Sequence, residues 1–296
     1  MWQIIGAGAI GCLWAANLQR IGQQVHLITR SPCSETRLHY LDLHNNQQQF
    51  SVSCSTELIR SRDPLLICVK ATQVEKVIQT HQRSIKPQQV IILMHNGMGC
   101  AEQVQALLPD NPIICATTAN ASLLQGPLNI KQTGRGITYL GPFNSAAKHH
   151  QGLAESLNAA LDDTHWCEDI KHKLWLKLLI NIAINPLTAI YQVNNGSLQE
   201  ASFQKMIIEI TRESLKAADA ENIHFAEQEL LNIINQVIRQ TAQNYSSMNR
   251  DIFYQRITEN EFIGGFLLKK ASLYNIEMPS VKSLYNQIKQ LENNYA

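Results

Sequence analysis

Short apolar runs alternate with segments of helical periodicity through the first half of the chain. Buried strands are predicted at residues 2–5, 25–29, 65–69, 90–94 and 113–118. Helical patterns follow several of them; the first covers Ile10–Ile21, with apolar residues on one face and Gly22 as its end. Strands that alternate with helices indicate a parallel, doubly wound sheet of the Rossmann type.

Three further patterns complete this half. Residues 38–43 and 49–54 alternate in polarity around Asn45-Asn46, which predicts a hairpin. Residues 129–132 and 136–140 predict an antiparallel pair. A helix over 152–161 and a closing strand over 165–167 are predicted to end the region.

Near residue 168 the pattern changes to long helical periodicity. Helices are predicted over 168–191, 199–221, 226–250, 259–275 and 279–294. The fold class is therefore predicted as α/β, with a Rossmann-like domain over residues 1–166 followed by an all-α domain over residues 167–296. A chain of 296 residues has the length of two domains.

Composition excludes several classes of protein. The formal net charge is +1 and no block of like charges occurs, so no nucleic-acid partner is expected. The seven cysteines are odd in number and none are spaced as Cys-x-x-Cys, so neither a disulfide framework nor a metal site is expected. They are interpreted as reduced core residues.

Neither a secretion signal nor a membrane partner is expected from the sequence. Its N-terminus lacks a basic region and a cleavage site. The most apolar stretch, residues 174–191, contains Lys177, Asn181, Asn185 and Pro186, which would be costly in a bilayer. A soluble, cytoplasmic protein is expected.

A glycine motif opens the chain. Gly6, Ala7, Gly8, Ala9, Ile10 and Gly11 fit G-x-G-x-x-G between the first predicted strand and the first predicted helix. Gly6 permits a tight turn, Gly8 lets a pyrophosphate approach the backbone, and Gly11 lets the helix pack on the strand. The helix N-terminus offers N–H groups and partial positive charge to phosphates. Dinucleotide binding is predicted; the alternative is a glycine-rich turn without a ligand.

The residue after the second strand indicates which dinucleotide binds. NAD enzymes usually carry Asp or Glu there, whereas this chain has Arg30, and its first downstream acid is Glu35. A guanidinium pairs well with a 2′-phosphate, which an acid would repel. NADPH is therefore favoured over NADH as the cofactor, unless Arg30 is only a solvated loop residue.

Two more polar residues follow predicted strands. Lys70 follows residues 65–69, and Asn96 follows residues 90–94. Ligands of open parallel sheets bind beyond the carboxyl ends of the strands. Both residues are candidates to face cofactor and substrate, although a plain turn residue is an equal alternative for each.

A row of polar residues interrupts the helix predicted over 168–191. Lys177, Asn181 and Asn185 recur every four residues and therefore share one face. They either satisfy one another inside the core or form the polar wall of a cleft. An amine among apolar neighbours gives up its proton more easily, which suits a general acid.

A second polar cluster lies farther along the chain. Asn244, Ser247 and Asp251 are spaced i, i+3 and i+7, which would place them on one face of a helix. Thr258 and Glu261 have the spacing of a capping box. Glu259 would then lie in the first turn, either facing a ligand or only stabilising the helix dipole.

Together these residues make the chain similar to the ketopantoate reductase family. The similarity covers nearly the whole chain and is strongest at GAGAIG (6–11), HNGMG (95–99), LWLKLLINIAINPLTAIY (174–191), NNGSL (194–198), NYSSMNRDI (244–252) and TENEFIGGF (258–266). The resemblance implies reduction of 2-dehydropantoate to (R)-pantoate by NADPH, a step in pantothenate and coenzyme A synthesis.

The resemblance also implies roles for individual residues. Lys177 would protonate the ketone oxygen, and Glu259 would bind the terminal hydroxyl of the substrate. Arg30 and Lys70 would hold the adenosine phosphate side of NADPH. The remaining polar residues would position substrate and cofactor, Ser247 near the substrate carboxylate; they are Asn96, Asn181, Asn185, Asn195, Asn244 and Ser247.

Two other functions are compatible with the same motifs. One is a related NADP-dependent reductase of another 2-keto acid, because a fold does not fix its substrate. The other is a dinucleotide sensor without turnover, which would leave Lys177, Asn181 and Glu259 without a role. The protein is expected to be a monomer or homodimer.

Overall fold

The computed structural model describes residues 1–33 and 35–295, which form two compact units. The first unit contains residues 1–95 and 100–173. The second contains Asn96–Gly99 and residues 174 to the end of the described chain. The α/β fold class is confirmed, with the parallel sheet in the first unit and helices in the second. The units divide at Lys173/Leu174, seven residues beyond the predicted boundary.

An eight-stranded sheet forms the centre of the first unit. Its strands are β1 (Trp2–Ile5), β2 (Val25–Ile28), β5 (Ser53–Ser55), β6 (Leu65–Ile67), β7 (Ile91–Met94), β8 (Ile113–Thr118), β11 (Thr138–Pro142) and β12 (Thr164–Trp166). They are ordered β12-β11-β8-β7-β6-β1-β2-β5, parallel except where β11 pairs with β8.

Aliphatic side chains in register bind this sheet together. Ile4 on β1 pairs with Leu27 on β2 and Leu66 on β6, and the row continues to Ile92 and Ile114. All five side chains are fully buried. A continuous apolar row is expected where helices cover both faces of a parallel sheet.

Four helices accompany the sheet, α1 (Ala9–Arg20), α2 (Ala71–His81), α3 (Cys100–Leu107) and α4 (Gly152–Ala160). Helix α1 is buried along most of its length, and its Trp14 donates a hydrogen bond to the Sδ atom of Met94, 2.9 Å away. The cysteines were predicted to be core residues: Cys12, Cys100 and Cys115 are buried, whereas the other four are partly exposed.

A smaller sheet holds the predicted hairpin. Its strands are β3 (Arg37–Leu41), β4 (Gln47–Ser51), β9 (Ala121–Gly126) and β10 (Asn129–Gly134), in the order β4-β3-β10-β9. Strands β3 and β4 pair antiparallel, which confirms the hairpin around Asn45-Asn46.

The predicted pairing of residues 129–132 with 136–140 is wrong. Strand β10 pairs with β9 and β3, whereas β11 pairs with β8 and β12 in the main sheet. A Cβ on Gly136 would lie 2.6 Å from the Cβ of Ala119, so the chain here lies close to the end of β8. Alternating polarity locates a strand but does not identify its partner.

Helices form the second unit. They are α5 (Ile170–Tyr191), whose first four residues belong to the first unit, α6 (Ala201–Ala220), α7 (Glu227–Gln240), α8 (Ser247–Phe253), α9 (Phe266–Leu273) and α10 (Pro279–Asn293). A 3₁₀ helix covers Asn195–Gln199, and a π-helical turn covers Glu261–Gly265.

The helix predicted over 226–250 is two helices. Helix α7 ends at Gln240, and α8 begins at Ser247. The hydroxyl of Ser246 accepts the N–H of Asn249 at 3.0 Å, so Ser246 caps a new helix. Asn244 precedes that cap and does not share a helix face with Ser247 and Asp251.

Helix α5 is the one described helix that is long and apolar enough to span a bilayer. Its most apolar window has a mean hydropathy of 1.4 and is 61% buried within the protein. Buried side chains such as Trp175, Ile182 and Leu187 belong to the core of the second unit. Core helices often have this length and hydropathy, so the finding is weak evidence for a membrane span.

Candidate active site

The glycine motif forms a tight turn between β1 and α1. Gly6 has φ +104°, and a Cβ on it would lie 2.9 Å from Cγ1 of Val69. A Cβ on Gly11 would lie 1.9 Å from the carbonyl oxygen of Gly6, so only hydrogen fits there. The two glycines let the helix start directly against β1 and β6.

Gly8 leaves the approach to this turn open. A Cβ on Gly8 would meet no described heavy atom within 4 Å. Gly8 caps α1, whose first turn consists of Ala9, Ile10, Gly11 and Cys12 and contains no acid. First-turn N–H groups have no partner within their helix and attract anions. With Ala7 completing the turn, these residues fit the pyrophosphate of a dinucleotide.

Two cationic residues lie at the same edge of the main sheet. Strands β2 and β6 flank β1 in parallel, so their carboxyl ends lie beside Gly6. Arg30 follows β2 by two residues and is exposed. Lys70 immediately precedes α2, three residues after β6. Their charges suit the phosphates of a dinucleotide.

Lys177 lies on the second-unit portion of α5 and is only partly exposed. Burial lowers the pKa of its ammonium from 10.5 to about 8, and the opposing charge of Glu259 limits this shift. Near neutral pH the amine therefore still carries a proton, but it holds that proton less tightly than a surface lysine does.

Glu259 is 7% exposed and lies beside another predicted site residue, which is far away in sequence. The Asn96 amide donates a hydrogen bond to Oε2 of Glu259 at 2.9 Å. Asn96 belongs to the second unit, although it follows β7 of the first. Asn96, Glu259 and Lys177 thus share one unit, with the carboxylate interacting with both an amide and an ammonium.

The loop that carries Asn96 packs on the π-helical turn. The N–H of Met98 donates to the carbonyl oxygen of Phe262 at 2.8 Å. Gly97 has φ +82°, and a Cβ on it would lie 2.4 Å from the same oxygen. The backbone contact requires glycine at this position and places Asn96 next to Glu259.

Asn181 and Asn185 lie on α5 one and two turns beyond Lys177. Asn185 is 6% exposed, and Asn181 is partly exposed. Neither side-chain amide forms a hydrogen bond with another described residue, so a ligand or water must satisfy these groups. The two asparagines therefore fit the polar wall of a cleft better than a row of polar side chains that form hydrogen bonds with one another inside the core.

The other predicted site residues lie around α8 and the 3₁₀ helix. The Asn195 amide donates to the hydroxyl of Thr241 at 2.8 Å, and its backbone N–H donates to the carbonyl oxygen of Asn244 at 2.8 Å. Asn195 is buried, whereas Asn244 and Ser247 are exposed. The structure brings Asn195 and Asn244 together, but shows no hydrogen bond from either to Lys177 or Glu259 among the described residues.

Comparison with known proteins identifies the family. The family profile described as "Ketopantoate reductase PanE/ApbA" matches residues 2–145, and the profile of its C-terminal domain matches residues 169–292. The chain belongs to the ketopantoate reductase family. Its members are NAD(P)-dependent oxidoreductases that act on a small-molecule substrate.

Individual relatives cover almost the whole chain. The 2-dehydropantoate 2-reductase of Vibrio cholerae is 36% identical over 99% of this chain and 98% of its own length. A solved structure described as a probable 2-dehydropantoate 2-reductase of Bacillus subtilis is 26% identical, with a TM-score of 0.82, over 98% of this chain and 99% of that one.

A third comparison concerns the fold alone. The ternary structure of D-mandelate dehydrogenase with NADH and anilino(oxo)acetate has a TM-score of 0.91. It is 24% identical and covers 100% of this chain and 99% of that one. The ketopantoate reductase scaffold therefore also occurs in a dehydrogenase with a different name.

The predicted capping box at Thr258 and Glu261 is wrong. The N–H of Asn260, rather than that of Glu261, donates to the Thr258 hydroxyl, at 3.0 Å. Glu261 instead accepts a hydrogen bond from the Tyr285 hydroxyl at 2.6 Å. Glu292 on α10 accepts the N–H of Thr258, which a capping box would have paired with Glu261, and it also accepts the Thr258 hydroxyl.

The residues that join α8 to α5 were not predicted from the sequence. Asn249 donates to the carbonyl oxygen of Thr188 at 2.7 Å, and the hydroxyls of Thr188 and Ser246 lie 2.7 Å apart. These bonds fasten α8 to α5. Glu292 was also not predicted. The sequence does place this glutamate on the apolar face of the amphipathic helix α10, near its C-terminal end, and that position could have identified it.

Proposed function

We propose that this chain is a 2-dehydropantoate 2-reductase, which reduces 2-dehydropantoate to (R)-pantoate with NADPH in pantothenate and coenzyme A biosynthesis. The observation that carries the proposal is Lys177, whose pKa is lowered to about 8 beside the Asn96–Glu259 pair. The family membership and the name of the Vibrio cholerae relative support the choice of substrate.

Lys177 acts as the general acid in this proposal. NADPH, when bound, supplies the hydride that reduces the ketone carbon, and negative charge develops on the ketone oxygen. The ammonium of Lys177 stabilises that charge and donates its proton to the oxygen. Its lowered pKa makes the donation easier than from an ordinary lysine.

Glu259 binds the terminal hydroxyl of the substrate, accepting a hydrogen bond through its carboxylate. Asn96 orients that carboxylate through their 2.9 Å bond and also faces the cofactor. The unpartnered amides of Asn181 and Asn185 bind the substrate along α5, and Ser247 lies near its carboxylate. Asn195 and Asn244 complete the pocket.

The cofactor side of the proposal lies in the first unit. The proposal assigns NADP binding to the domain predicted over residues 1–166, and substrate binding and catalysis to the domain predicted over residues 167–296. The turn Gly6–Gly11 takes the pyrophosphate, and Arg30 and Lys70 take the phosphate of the adenosine ribose. The exposed Arg30 after β2, where NAD enzymes carry an acid, supports NADPH over NADH.

A substrate pair tests the proposal. Purified protein is assayed for NADPH consumption with 2-dehydropantoate and with an analogue that has hydrogen in place of the terminal hydroxyl. The wild-type protein is expected to prefer 2-dehydropantoate, and Glu259→Gln to lose most of that preference because its neutral amide accepts a weaker hydrogen bond. Absence of NADPH consumption with 2-dehydropantoate would refute the proposal.

The second candidate is a reductase of another 2-keto acid on the same scaffold. The D-mandelate dehydrogenase structure supports this candidate, because that protein has the same fold as this chain but is named for a different substrate. A panel of 2-keto acids decides between them: a higher kcat/KM for another compound supports the second candidate. Turnover of any 2-keto acid argues against the other alternative, a dinucleotide sensor that has no enzymatic activity.

We also infer that the protein is cytoplasmic and is a monomer or homodimer. The ordinary composition and the near-zero net charge support a freely soluble biosynthetic enzyme.

Among the described residues, no group of three or more His, Cys, Asp or Glu side chains is placed to hold a metal ion. Sedimentation velocity of the purified protein measures the oligomeric state.

A further inference from the structure

The last helix, α10, carries a buried carboxylate that has no assigned role. Glu292 is 7% exposed, and its Oε1 atom accepts two hydrogen bonds from one residue, Thr258. The Thr258 N–H lies 2.8 Å away and the Thr258 hydroxyl 2.7 Å away. A carboxylate is rarely buried without hydrogen-bond donors, so the two bonds from Thr258 explain why Glu292 can be buried here.

Thr258 immediately precedes Glu259, and the contacts with α10 continue on its other side. The hydroxyl of Thr258 accepts the N–H of Asn260 at 3.0 Å, and the amide of Asn260 donates to the carbonyl oxygen of Tyr285 at 3.0 Å. Both Thr258 and Asn260 are 1% exposed. The residues on either side of Glu259 are therefore both fastened to α10 by hydrogen bonds, which are buried at Thr258 and partly buried at Asn260.

We propose that Glu292 is a positioning residue for Glu259. By holding Thr258, it fixes the backbone from which the Glu259 side chain extends to Asn96. It touches neither substrate nor cofactor and acts only through Thr258. The inference rests on the proposed function for its effect on turnover, but its effect on the Lys177–Glu259 pair can be measured without a substrate.

Three variants separate positioning from general stability. Glu292→Met removes the acceptor and keeps a side chain of similar length, whereas Glu292→Gln retains an oxygen that can accept both bonds. Glu213→Met is the matched control. Glu213 also ties α10 through two hydrogen bonds, accepting the N–H groups of Ser280 at 2.9 Å and Val281 at 3.0 Å, but at the opposite end of that helix.

The first measurement is the titration of the Lys177 amine. Its labelling by acetic anhydride is followed against pH by peptide mass spectrometry, with the full-length protein and no substrate. Because the charge of Glu259 raises the pKa of Lys177, displacing Glu259 should lower that pKa. We expect the labelling curve to move to lower pH in Glu292→Met, and to stay in place in Glu292→Gln and Glu213→Met.

The second measurement is turnover of 2-dehydropantoate. We expect KM to rise about tenfold in Glu292→Met, the size of one lost hydrogen bond, with the Kd of NADPH unchanged. Unchanged labelling and KM in Glu292→Met would overturn the positioning role, as would equal changes in Glu213→Met. A wild-type protein without turnover would refute the proposed function, while the labelling result would still decide the role of Glu292.

Discussion

At the scale of single residues, the proposed chemistry depends mainly on an ammonium and a carboxylate in the second unit. Lys177 lies among apolar neighbours on α5, and burial makes its proton easier to remove. Glu259 opposes this effect through its charge and is itself bonded to Asn96. The pair therefore keeps a proton available near neutral pH, as the proposed general acid requires.

The pH dependence of kcat/KM follows from the titration of Lys177. A general acid must be protonated, so kcat/KM should fall as the pH rises through about 8. The measurement is kcat/KM for 2-dehydropantoate against pH. Lys177→Arg is the control, because a guanidinium keeps its proton throughout this range. An alkaline fall at the same pH in that variant would assign the titration to another group.

Arg30 is predicted to select NADPH over NADH. Arg30→Ala should raise the Kd of NADPH by about ten- to a hundredfold, the size of one or two charge-assisted hydrogen bonds, and leave the Kd of NADH nearly unchanged. Fluorescence titration measures both constants. Arg62→Ala is the matched control, since Arg62 is also exposed but precedes β6 at the opposite edge of the sheet. Equal losses for NADPH and NADH would contradict the assignment.

Residue spacing predicted part of this site and missed the rest for a physical reason. The shared face of Lys177, Asn181 and Asn185 follows from four-residue spacing within one helix. The bond between Asn96 and Glu259 joins residues 163 positions apart, and no local pattern encodes it. Glu261 is a case in which local spacing gave a wrong prediction. Its spacing from Thr258 predicts a capping box, but its carboxylate instead accepts a hydrogen bond from Tyr285 on another helix.

Among the elements, the loop of residues 95–99 and the π-helical turn form one assembly. The carbonyl oxygen of Phe262 accepts the N–H of Met98, and Gly97 lies so close to that oxygen that a side chain is excluded. Because this contact holds Asn96 next to Glu259, the loop conformation is part of the candidate site.

Gly97→Ala should therefore impair turnover more than cofactor binding. The added methyl meets a backbone oxygen at 2.4 Å and requires a positive φ, so the loop must move away from Phe262. We expect kcat/KM to fall by about tenfold or more, because a small misplacement of binding groups is costly. Gly152→Ala is the control, because a Cβ on Gly152 meets no described atom within 4 Å. Steady-state kinetics with wild-type activity in Gly97→Ala would contradict this role.

The prediction of helices and strands succeeded where the apolar periodicity extends over many residues. It failed where contacts with other parts of the fold determine where an element begins or ends. Helices α5, α6 and α10 lie within two residues of their predicted bounds, because each has a continuous apolar stripe. The helix predicted over 226–250 breaks because the hydroxyl of Ser246 can cap a new helix there. Strand β9 was missed, since its exposed Leu123 and Leu124 do not alternate with polar residues.

On the scale of the whole molecule, each unit has its own apolar core and its own share of the predicted site. The glycine turn, Arg30 and Lys70 belong to the first unit, and Lys177, Glu259 and Asn96 belong to the second. Variants in the first unit should therefore change cofactor affinity, whereas Lys177 variants should change the chemical step without weakening cofactor binding.

The most direct test of this account compares the wild-type protein with Lys177→Ala in an NADPH-oxidation assay with 2-dehydropantoate, alongside the Kd of NADPH for each. The account predicts turnover by the wild type and a loss of kcat of about 10²- to 10⁴-fold in Lys177→Ala, the usual contribution of a general acid. The Kd of NADPH should stay the same. Near wild-type kcat in Lys177→Ala would contradict the account.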